Sequence, residues 1–370
     1  MATLYFHIPF CKRICTYCDF YKVGAIELIP RVVEMMHHEL EQRASYLSDR
    51  HLTSIYFGGG TPSLLQPRQI EGLIDHARKL FDCSAIEEIT LEANPDDLNA
   101  EYIAQLRATS INRISLGIQS FDDRVLQFMN RRHSASEARE CVERLRNSGY
   151  DNISIDIIFG VAGFGDKWLR NTIEEAIKLN AEHISAYHLT VEERTRLGVL
   201  VRKGEYQPVS EEQSESDYNL VESLLCKAGY EHYEVSNYAR PGYRAKHNSA
   251  YWRGVEYLGI GAGAHSFSGN DRRWCISTAK EYSEGDIRFE NEELTSEDHL
   301  NEYIMTSLRT KEGIDLSYIK ATYGDAEYNR ILLESSGWQE RGVLTHLDNR
   351  LFIPTKEFML SDAVIESLFL

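Results

Sequence analysis

Residues 5–20 read YFHIPFCKRICTYCDF, a short apolar run followed by three cysteines. Cys11, Cys15 and Cys18 have the spacing C-x3-C-x2-C, so three thiolates can converge on one metal centre. A four-iron cubane needs a terminal ligand on each iron, and three cysteines leave the fourth iron open for a cofactor or substrate. A structural zinc site normally has four tight ligands, and His7 is the nearby residue that could complete one. Because His7 is predicted within a strand, the cluster interpretation is favoured over zinc.

The remaining four cysteines are scattered singly, at Cys83, Cys141, Cys226 and Cys275. An odd total in a long chain does not indicate a disulfide framework, and isolated cysteines are typical of ordinary, partly buried thiols. The chain has 370 residues, with 40 Lys and Arg against 57 Asp and Glu, a net charge of −17. This acidic balance argues against a protein that binds nucleic acid by neutralising phosphates.

The sequence also lacks the features of a targeting or membrane segment. No apolar run approaches the roughly 18–20 residues that span a bilayer. Residues 1–10 are apolar, but no charged region precedes them and Lys12 and Arg13 follow closely, a pattern unlike a signal peptide. We therefore expect a cytoplasmic protein without a transmembrane segment. Peripheral binding at the inner face of the membrane stays open.

Short apolar runs alternate with amphipathic stretches along the first 230 residues, which predicts an α/β fold. Six runs are predicted as strands: 4–8, 52–57, 88–93, 113–118, 153–158 and 183–189. Five of them have the apolar composition of fully buried parallel strands. The predicted helices are 30–47, 69–81, 100–109, 134–149, 167–179 and 211–229. Six strand–helix units are two short of a closed eight-fold barrel, so the pattern leaves a choice between a partial barrel and a doubly wound sheet.

Three regions are distinguished by composition. Residues 1–235 hold the strand–helix units, and residues 236–290 are rich in Gly and aromatic side chains and lead into an acidic stretch. Residues 284–298 carry seven Asp or Glu against Arg288 alone, which predicts a solvated linker. Residues 291–370 are predicted to form a helix-rich domain with a β-hairpin near 342–353, a winged-helix-like arrangement.

Polar residues at the ends of the predicted strands suggest one shared site. The turn Gly58-Gly59-Gly60-Thr61-Pro62 directly follows the second strand, and three glycines allow a close backbone approach to a ligand. Glu92 ends the third strand, Gln119 ends the fourth and Asp156 lies within the fifth. A polar residue in an apolar strand is costly unless it is paired, so these three suit one ligand at the mouth of a barrel.

The cysteine spacing after a first strand resembles the radical S-adenosylmethionine (SAM) superfamily. The resemblance implies a partial (β/α)6 barrel, a [4Fe-4S] cluster held by Cys11, Cys15 and Cys18, and SAM bound to the open iron. Further motifs, at 5–11, 56–63, 113–121, 183–187 and 257–267, are similar to the oxygen-independent coproporphyrinogen III oxidase family. That family contains decarboxylating oxidases and HemW-type haem chaperones.

Three features resemble the haem-chaperone branch more closely. The oxidase has a further cysteine two residues after the cluster motif, whereas Cys18 is followed here by Asp19-Phe20, and the oxidase's N-terminal extension is absent, since ten residues precede Cys11. The run His247-Asn248-Ser249-Ala250-Tyr251-Trp252 matches the H-N-x-x-Y-W motif of the chaperones, in which His247 would bind haem. The alternative for His247 is that it only satisfies core hydrogen bonds.

The resemblance also implies the SAM contacts, which would be Tyr5, Tyr17, Gly59, Gly60, Thr61, Glu92, Gln119, Arg131 and Asp156. Tyr17 would pack near the adenine and Arg131 would pair with the carboxylate. Arg132 is the alternative to Arg131, which is preferred because it lies twelve residues after Gln119.

The function implied is a haem chaperone that binds a [4Fe-4S] cluster, SAM and haem and delivers haem to acceptor proteins, cytosolic or membrane-bound. The alternative is an oxidase that decarboxylates coproporphyrinogen III to protoporphyrinogen IX in porphyrin biosynthesis. A flavodoxin or ferredoxin would supply electrons, nucleic acid would not be a partner, and the protein would be a monomer or a homodimer.

Overall fold

The computed structural model describes residues 1–370, apart from the side chain of Asp166. Six parallel strands lie side by side in sequence order. They are β1 (Ala2–Ile8), β2 (Leu52–Gly59), β3 (Glu88–Ala93), β4 (Arg113–Gln119), β5 (Ile153–Phe159) and β6 (His183–His188). A doubly wound sheet reverses its strand order at a switch point, whereas a (β/α) barrel adds each strand beside the preceding one. The order therefore confirms the partial (β/α)6 barrel. The barrel is not closed, since β1 and β6 do not pair with each other and further strands extend the sheet beyond both.

Helices follow the strands, and the six that the sequence predicted end within a few residues of the expected positions. Two short helices, over 123–128 and 196–202, were not predicted. Those of the barrel are α1 (Ile29–Arg43), α2 (Pro67–Leu80), α3 (Ala100–Leu106), α4 (Asp123–Phe128), α5 (Ala135–Asn147), α6 (Asp166–Lys178), α7 (Arg196–Arg202) and α8 (Glu211–Lys227). Local signals explain the boundaries. Pro30 lies in the first turn of α1, and a reciprocal capping box of Ser134 and Glu137 begins α5.

Short strands that the apolar pattern did not predict extend the sheet on both sides. β7 (Glu231–Glu234) and β8 (Asn237–Ala239) lie beyond β6. After α9 (Lys246–Trp252), β9 (Tyr257–Ile260) pairs in parallel with β1, and β10 (His265–Phe267) and β11 (Asp271–Cys275) follow antiparallel.

The prediction of a solvated linker over 284–298 is wrong for part of that stretch. α10 (Ala279–Ser283) precedes it, and β12 (Phe289–Glu293) forms the antiparallel edge of the sheet against β11. All of β12 except Phe289 is exposed, so its acidic side chains remain in solvent although the backbone is paired. Charge on an edge strand is compatible with pairing on one side and discourages pairing with another chain.

The C-terminal part is helix-rich and contains the predicted hairpin, which a last short helix follows. Its elements are α11 (Ser296–Leu308), β13 (Ile314–Asp315), α12 (Leu316–Glu334), α13 (Ser336–Glu340), β14 (Thr345–Leu347), β15 (Arg350–Phe352) and α14 (Ser361–Glu366). Asp348 and Asn349 both have positive φ, as a tight hairpin turn requires. The order of helix, strand, helices and hairpin is winged-helix-like, as expected. None of the helices in the described part of the chain has the length and apolar character needed to cross a bilayer.

The strand register brings the ends of the barrel strands to one edge. Ile8 pairs with Gly59, Glu92 pairs with Ser115, and Gly117 pairs with Asp156. The cysteine segment therefore leaves β1 beside the Gly-rich turn that leaves β2, and the polar residues of β3, β4 and β5 follow in order along the same edge.

Candidate functional site

The segment Pro9 to Val23, here called the cluster loop, carries the three cysteines and is closed at its base by backbone hydrogen bonds. The N–H of Cys11 donates to the carbonyl of Val23 over 2.9 Å, and the N–H of Val23 donates to the carbonyl of Pro9 over 2.7 Å. The middle of the loop is also held, because Thr16 N–H donates to the carbonyl of Met129. The loop is thus anchored at both ends and at its centre.

The three thiols lie near one another. Cys11 is buried, and Cys15 and Cys18 are half-buried. Burial raises the pKa of the Cys11 thiol, and the nearby Cys18 and Cys15 raise it further. The Cys11 sulfur accepts a hydrogen bond from Thr61 at 3.5 Å, and the Cys15 sulfur accepts one from Arg131 at 3.3 Å. Such donors stabilise thiolate charge when metal is bound.

Three thiols without a fourth protein ligand beside them within the described structure suit an iron–sulfur cluster better than a structural zinc site. No three His, Cys, Asp or Glu side chains among the described residues converge closely enough to hold a single metal ion. In a cubane each thiolate binds a different iron, so the sulfurs need not meet at single-ion distances. His7 does not complete a zinc site, since its ring contacts the Tyr5 hydroxyl at 3.1 Å and the Tyr21 carbonyl at 3.3 Å.

The Gly-rich turn makes close contacts with the start of the cluster loop. The N–H of Gly60 donates to the carbonyl of Ile8 at 2.8 Å. A Cβ at Gly60 would lie 2.7 Å from the Phe10 carbonyl oxygen and 2.9 Å from its nitrogen. Glycine at this position is therefore needed for packing against the backbone that leads into Cys11. The SAM contact expected of Gly60 stays a prediction.

Two half-buried carboxyl groups lie near one another, and one of them, that of Glu92, contacts this turn. Glu92 accepts from the Tyr56 hydroxyl at 2.7 Å and from the N–H of Gly59 at 3.1 Å. Burial, with a smaller contribution from Asp156, raises the pKa of Glu92 to about 7. Burial likewise raises the pKa of Asp156 to about 6, although Ser185 and Ser115 oppose the shift. Carboxyls of this kind suit a ligand with hydroxyl or amino donors.

Gln119 and Arg131 lie on the other side of the site. Gln119 ends β4 with a φ of 68°, at a register irregularity between β4 and β5, which is a strained conformation for a residue other than glycine. Arg131 donates to the carbonyl of Gly117 and to Asn94, while its buried Nε has no partner among the described residues. An unpartnered guanidinium nitrogen beside the cluster loop fits a carboxylate ligand.

Arg132 faces away from this arrangement. Its guanidinium forms ion pairs with Asp96 at 2.9 Å and Asp97 at 2.8 Å. Of the two arginines that the sequence left open, only Arg131 contacts a cluster-loop cysteine in the structure, which supports the choice made from spacing.

The remaining expected SAM residues border the same region. Tyr17 lies beside Cys15 and Arg131, and burial raises the pKa of its hydroxyl well above the usual range. Thr61 is buried and connects Cys11 to Asn94, whose amide donates to it at 3.3 Å. Tyr5 stacks on Tyr56, with ring centroids 6.0 Å apart. Tyr5 and Asp156 lie within β1 and β5, whereas the other seven residues expected to contact SAM lie in the cluster loop, at strand ends or in the segments that follow them.

His247 is buried, and both of its ring nitrogens contact hydroxyl groups. Its side chain is 1% exposed, one ring nitrogen contacts the Ser54 hydroxyl at 2.8 Å, and the other contacts the Tyr251 hydroxyl at 2.8 Å. Its ring also stacks on Tyr56, and burial lowers its pKa to about 3. Both ring nitrogens are therefore occupied by hydroxyl contacts, as the alternative of a core histidine requires. Haem ligation would require at least one of these contacts to break, and the ligand role of His247 stays a prediction.

We expect His247→Ala to lower the free energy of unfolding of the apo protein by about 2–4 kcal/mol, because it leaves a cavity and two unpaired hydroxyls. Chemical denaturation measures this, and His346→Ala is the matched control because His346 is exposed. The control should change stability by no more than about 0.5 kcal/mol. Unchanged stability together with lost haem affinity would instead favour the ligand role of His247.

A cavity of about 1160 Å³ lies beside the cluster loop, and no sequence motif predicted it. Its walls come from the loop, from α9 to β11, and from α11 and α12. Two histidines that the sequence did not single out, His265 and His299, line it. Burial lowers the pKa of His265, and the guanidinium of Arg272 lowers it further. The sequence feature that could have indicated this cavity is the motif at 257–267. It contains His265, but the motif by itself assigns that residue no role.

Comparison with known proteins adds independent findings. Residues 5–176 match the radical SAM superfamily. The chain is 36% identical to heme chaperone HemW of Lactococcus lactis, over 84% of this chain and 82% of that protein. It is 32% identical to heme chaperone HemW of Bacillus subtilis, over 98% of both chains. The solved structure of coproporphyrinogen III oxidase (HemN) from Escherichia coli, a radical SAM enzyme, superimposes with a TM-score of 0.84 at 21% identity, covering 99% of this chain and 89% of that one.

Proposed function

Because the chain belongs to the HemW family of haem chaperones, within the radical SAM superfamily, we propose that it binds haem and transfers it to acceptor haem proteins. It would do so with a [4Fe-4S] cluster on Cys11, Cys15 and Cys18 and with SAM beside them. The observation that carries the proposal is the large aromatic cavity that borders the cluster loop.

The cluster, when bound, would supply an electron to SAM or to a nearby acceptor. The chain's own contribution is to hold the thiolates and limit access of water. Thr61 donates to Cys11 and Arg131 donates to Cys15, so both residues stabilise negative charge on sulfur. The anchored loop keeps the three sulfurs in place before the cluster is assembled.

SAM would lie along the strand ends. The unpartnered nitrogen of Arg131 suits its carboxylate, and the half-buried carboxyl of Glu92 suits its amine. Asp156 and Gln119 would contact the sugar and base, with Tyr17 against the adenine. Gly59, Gly60, Thr61 and Tyr5 would form the remaining wall. These assignments rest on the placement of the side chains and on the family resemblance.

The oxidase reading has weaker support. The likeness to coproporphyrinogen III oxidase concerns the fold alone, since only 21% of residues are identical. The position at which the oxidase branch is expected to have its further cysteine is Phe20 here. Its side chain is 72% exposed and lines the cavity rather than serving a second metal-binding role. This substitution suits a protein that holds an aromatic cargo.

The acceptor would be a haem protein of the cytosol or of the membrane, and a flavodoxin or ferredoxin would reduce the cluster. We further propose a cytoplasmic location, with the protein either free or at the inner face of the membrane. Monomer and homodimer both remain candidates.

The proposal is tested by anaerobic reconstitution of the cluster followed by two assays on the same sample. We expect saturable haem binding and haem transfer to an apo-haem protein, with little or no carbon dioxide released from coproporphyrinogen III in the presence of SAM and dithionite. The oxidase is the positive control for decarboxylation. Robust SAM-dependent release of carbon dioxide without haem transfer would favour the oxidase over the haem chaperone.

A further inference from the structure

The cavity beside the cluster loop has the size and walls of a macrocycle site. It encloses about 1160 Å³ between the edge of the sheet and the C-terminal helices. Flat aromatic side chains on several walls favour a planar apolar ligand. These include Phe20, Tyr21, Tyr257, Phe267, Tyr303 and Tyr318.

His265 is the lining imidazole that the fold best presents to such a ligand. It is exposed, lies on β10 between β9 and β11, and stacks on Trp274 with centroids 5.9 Å apart at 19°. No hydrogen bond to another described residue occupies its ring nitrogens. His7, by contrast, has both nitrogens in contact with Tyr5 and Tyr21. A ring that is held in place by stacking but free at nitrogen is suited to ligate iron.

The neighbouring residue explains the orientation of His265. Ser266 is fully buried, and its hydroxyl contacts the guanidinium of Arg43 at 2.8 Å and the N–H of Gly259 at 3.0 Å. Successive side chains of a strand point to opposite faces, so the inward Ser266 places His265 outward. The strand is also packed tightly, because a Cβ at Gly259 would lie 2.0 Å from the His265 carbonyl oxygen.

Arg272 supplies a charge that complements a carboxylated porphyrin. It lines the cavity from β11, opposite Phe267 in the antiparallel pair with β10. Its guanidinium contacts the Glu302 carboxylate at 2.5 Å and stays 32% exposed. A haem propionate could exchange with Glu302 as its partner.

Resting on the proposed function, we infer that haem is held in this cavity, with His265 as the axial ligand to iron and Arg272 as the partner of a propionate. This places the cargo against the cluster loop rather than at His247.

The test is a haem titration of the full-length apo protein, followed by its Soret absorbance. We expect His265→Ala to weaken haem binding at least about tenfold and to shift the Soret band. Added imidazole should restore the wild-type spectrum, because a free ligand can occupy the vacated position. His346→Ala, an exposed histidine on β14 outside the cavity, is the matched control and should bind as wild type. Arg272→Gln should weaken binding without shifting the Soret band.

A second variant tests the location independently of the ligand. Thr306 lines the cavity from α11, and Thr306→Trp should exclude haem while thermal unfolding and cluster content stay as in the wild type. Haem binding at wild-type affinity in this variant, with its fold intact, would overturn the cavity assignment.

The outcomes separate the inference from the proposed function. A wild-type protein that binds no haem would defeat the proposed function. A wild type that binds haem, with an unchanged spectrum and affinity in His265→Ala, would defeat the ligand assignment and leave the function standing. A Soret shift in His299→Ala with none in His265→Ala would likewise defeat the assignment of His265 as the ligand and leave the function standing.

Discussion

Cys15→Ala should eliminate the broad visible absorbance of the reconstituted iron–sulfur cluster, and Cys11→Ala and Cys18→Ala should do the same. The physical reason is that each thiolate would serve a different iron, and an alanine leaves one iron without its protein ligand. Iron and sulfide analysis after anaerobic reconstitution measures the loss. Little iron should remain in any of the three variants.

The control variants are Cys83→Ala and Cys226→Ala, whose thiols are half-buried like those of Cys15 and Cys18 but lie outside the cluster loop. Both should reconstitute fully. The apo Cys15→Ala protein should remain folded, because Arg131 keeps its contacts with Asn94 and Gly117 when the sulfur is lost. A complete four-iron spectrum in Cys15→Ala would remove the basis of the cluster assignment.

The parallel core was predictable because its strands are nearly continuous apolar runs separated by amphipathic helices. The outer strands were not. β7, β8 and β10 have three or four residues each, and β12 reads FENEE, a composition typical of a loop. Such strands form because a neighbouring strand offers backbone hydrogen-bond partners. The composition of the strand itself does not indicate that such a neighbour is present.

The site was predictable to the extent that it depends on strand ends. The cysteines, Glu92, Gln119 and Asp156 meet because parallel strands end at one edge, whatever the detailed contacts. The surroundings of His247 could not be predicted, for a different reason. A motif in the seven-residue α9 does not say which face of that helix is buried, and the fold turns His247 toward Ser54. The cavity could not be predicted because its walls come from segments more than 300 residues apart in sequence.

Gly60→Val is expected to disrupt the cluster loop and the SAM site together. The sequence alone predicts that only SAM binding is lost, because the turn was expected to touch the ligand. The structure alters that expectation, since any Cβ at Gly60 meets the Phe10 carbonyl oxygen at 2.7 Å and the Ile8 carbonyl oxygen at 3.0 Å. Backbone atoms cannot rotate away as a side chain can, so the root of the loop must shift. We expect a loss of about 3 kcal/mol or more in the free energy of unfolding.

Gly24→Val is the matched control for this variant. Gly24 immediately follows the cluster loop, yet no atom lies within 4 Å of a Cβ built there and its φ is not in the positive range. The control should therefore keep its stability, iron content and SAM affinity. Denaturation, iron analysis and calorimetry with SAM on both variants decide the matter. Gly60→Val could instead keep a full cluster and wild-type stability and lose only SAM binding. In that case the turn serves mainly to contact SAM, and the packing role inferred from its neighbours is wrong. If cluster, stability and SAM binding fall together while Gly24→Val retains all three, the glycine is required because the chain entering Cys11 passes directly against it.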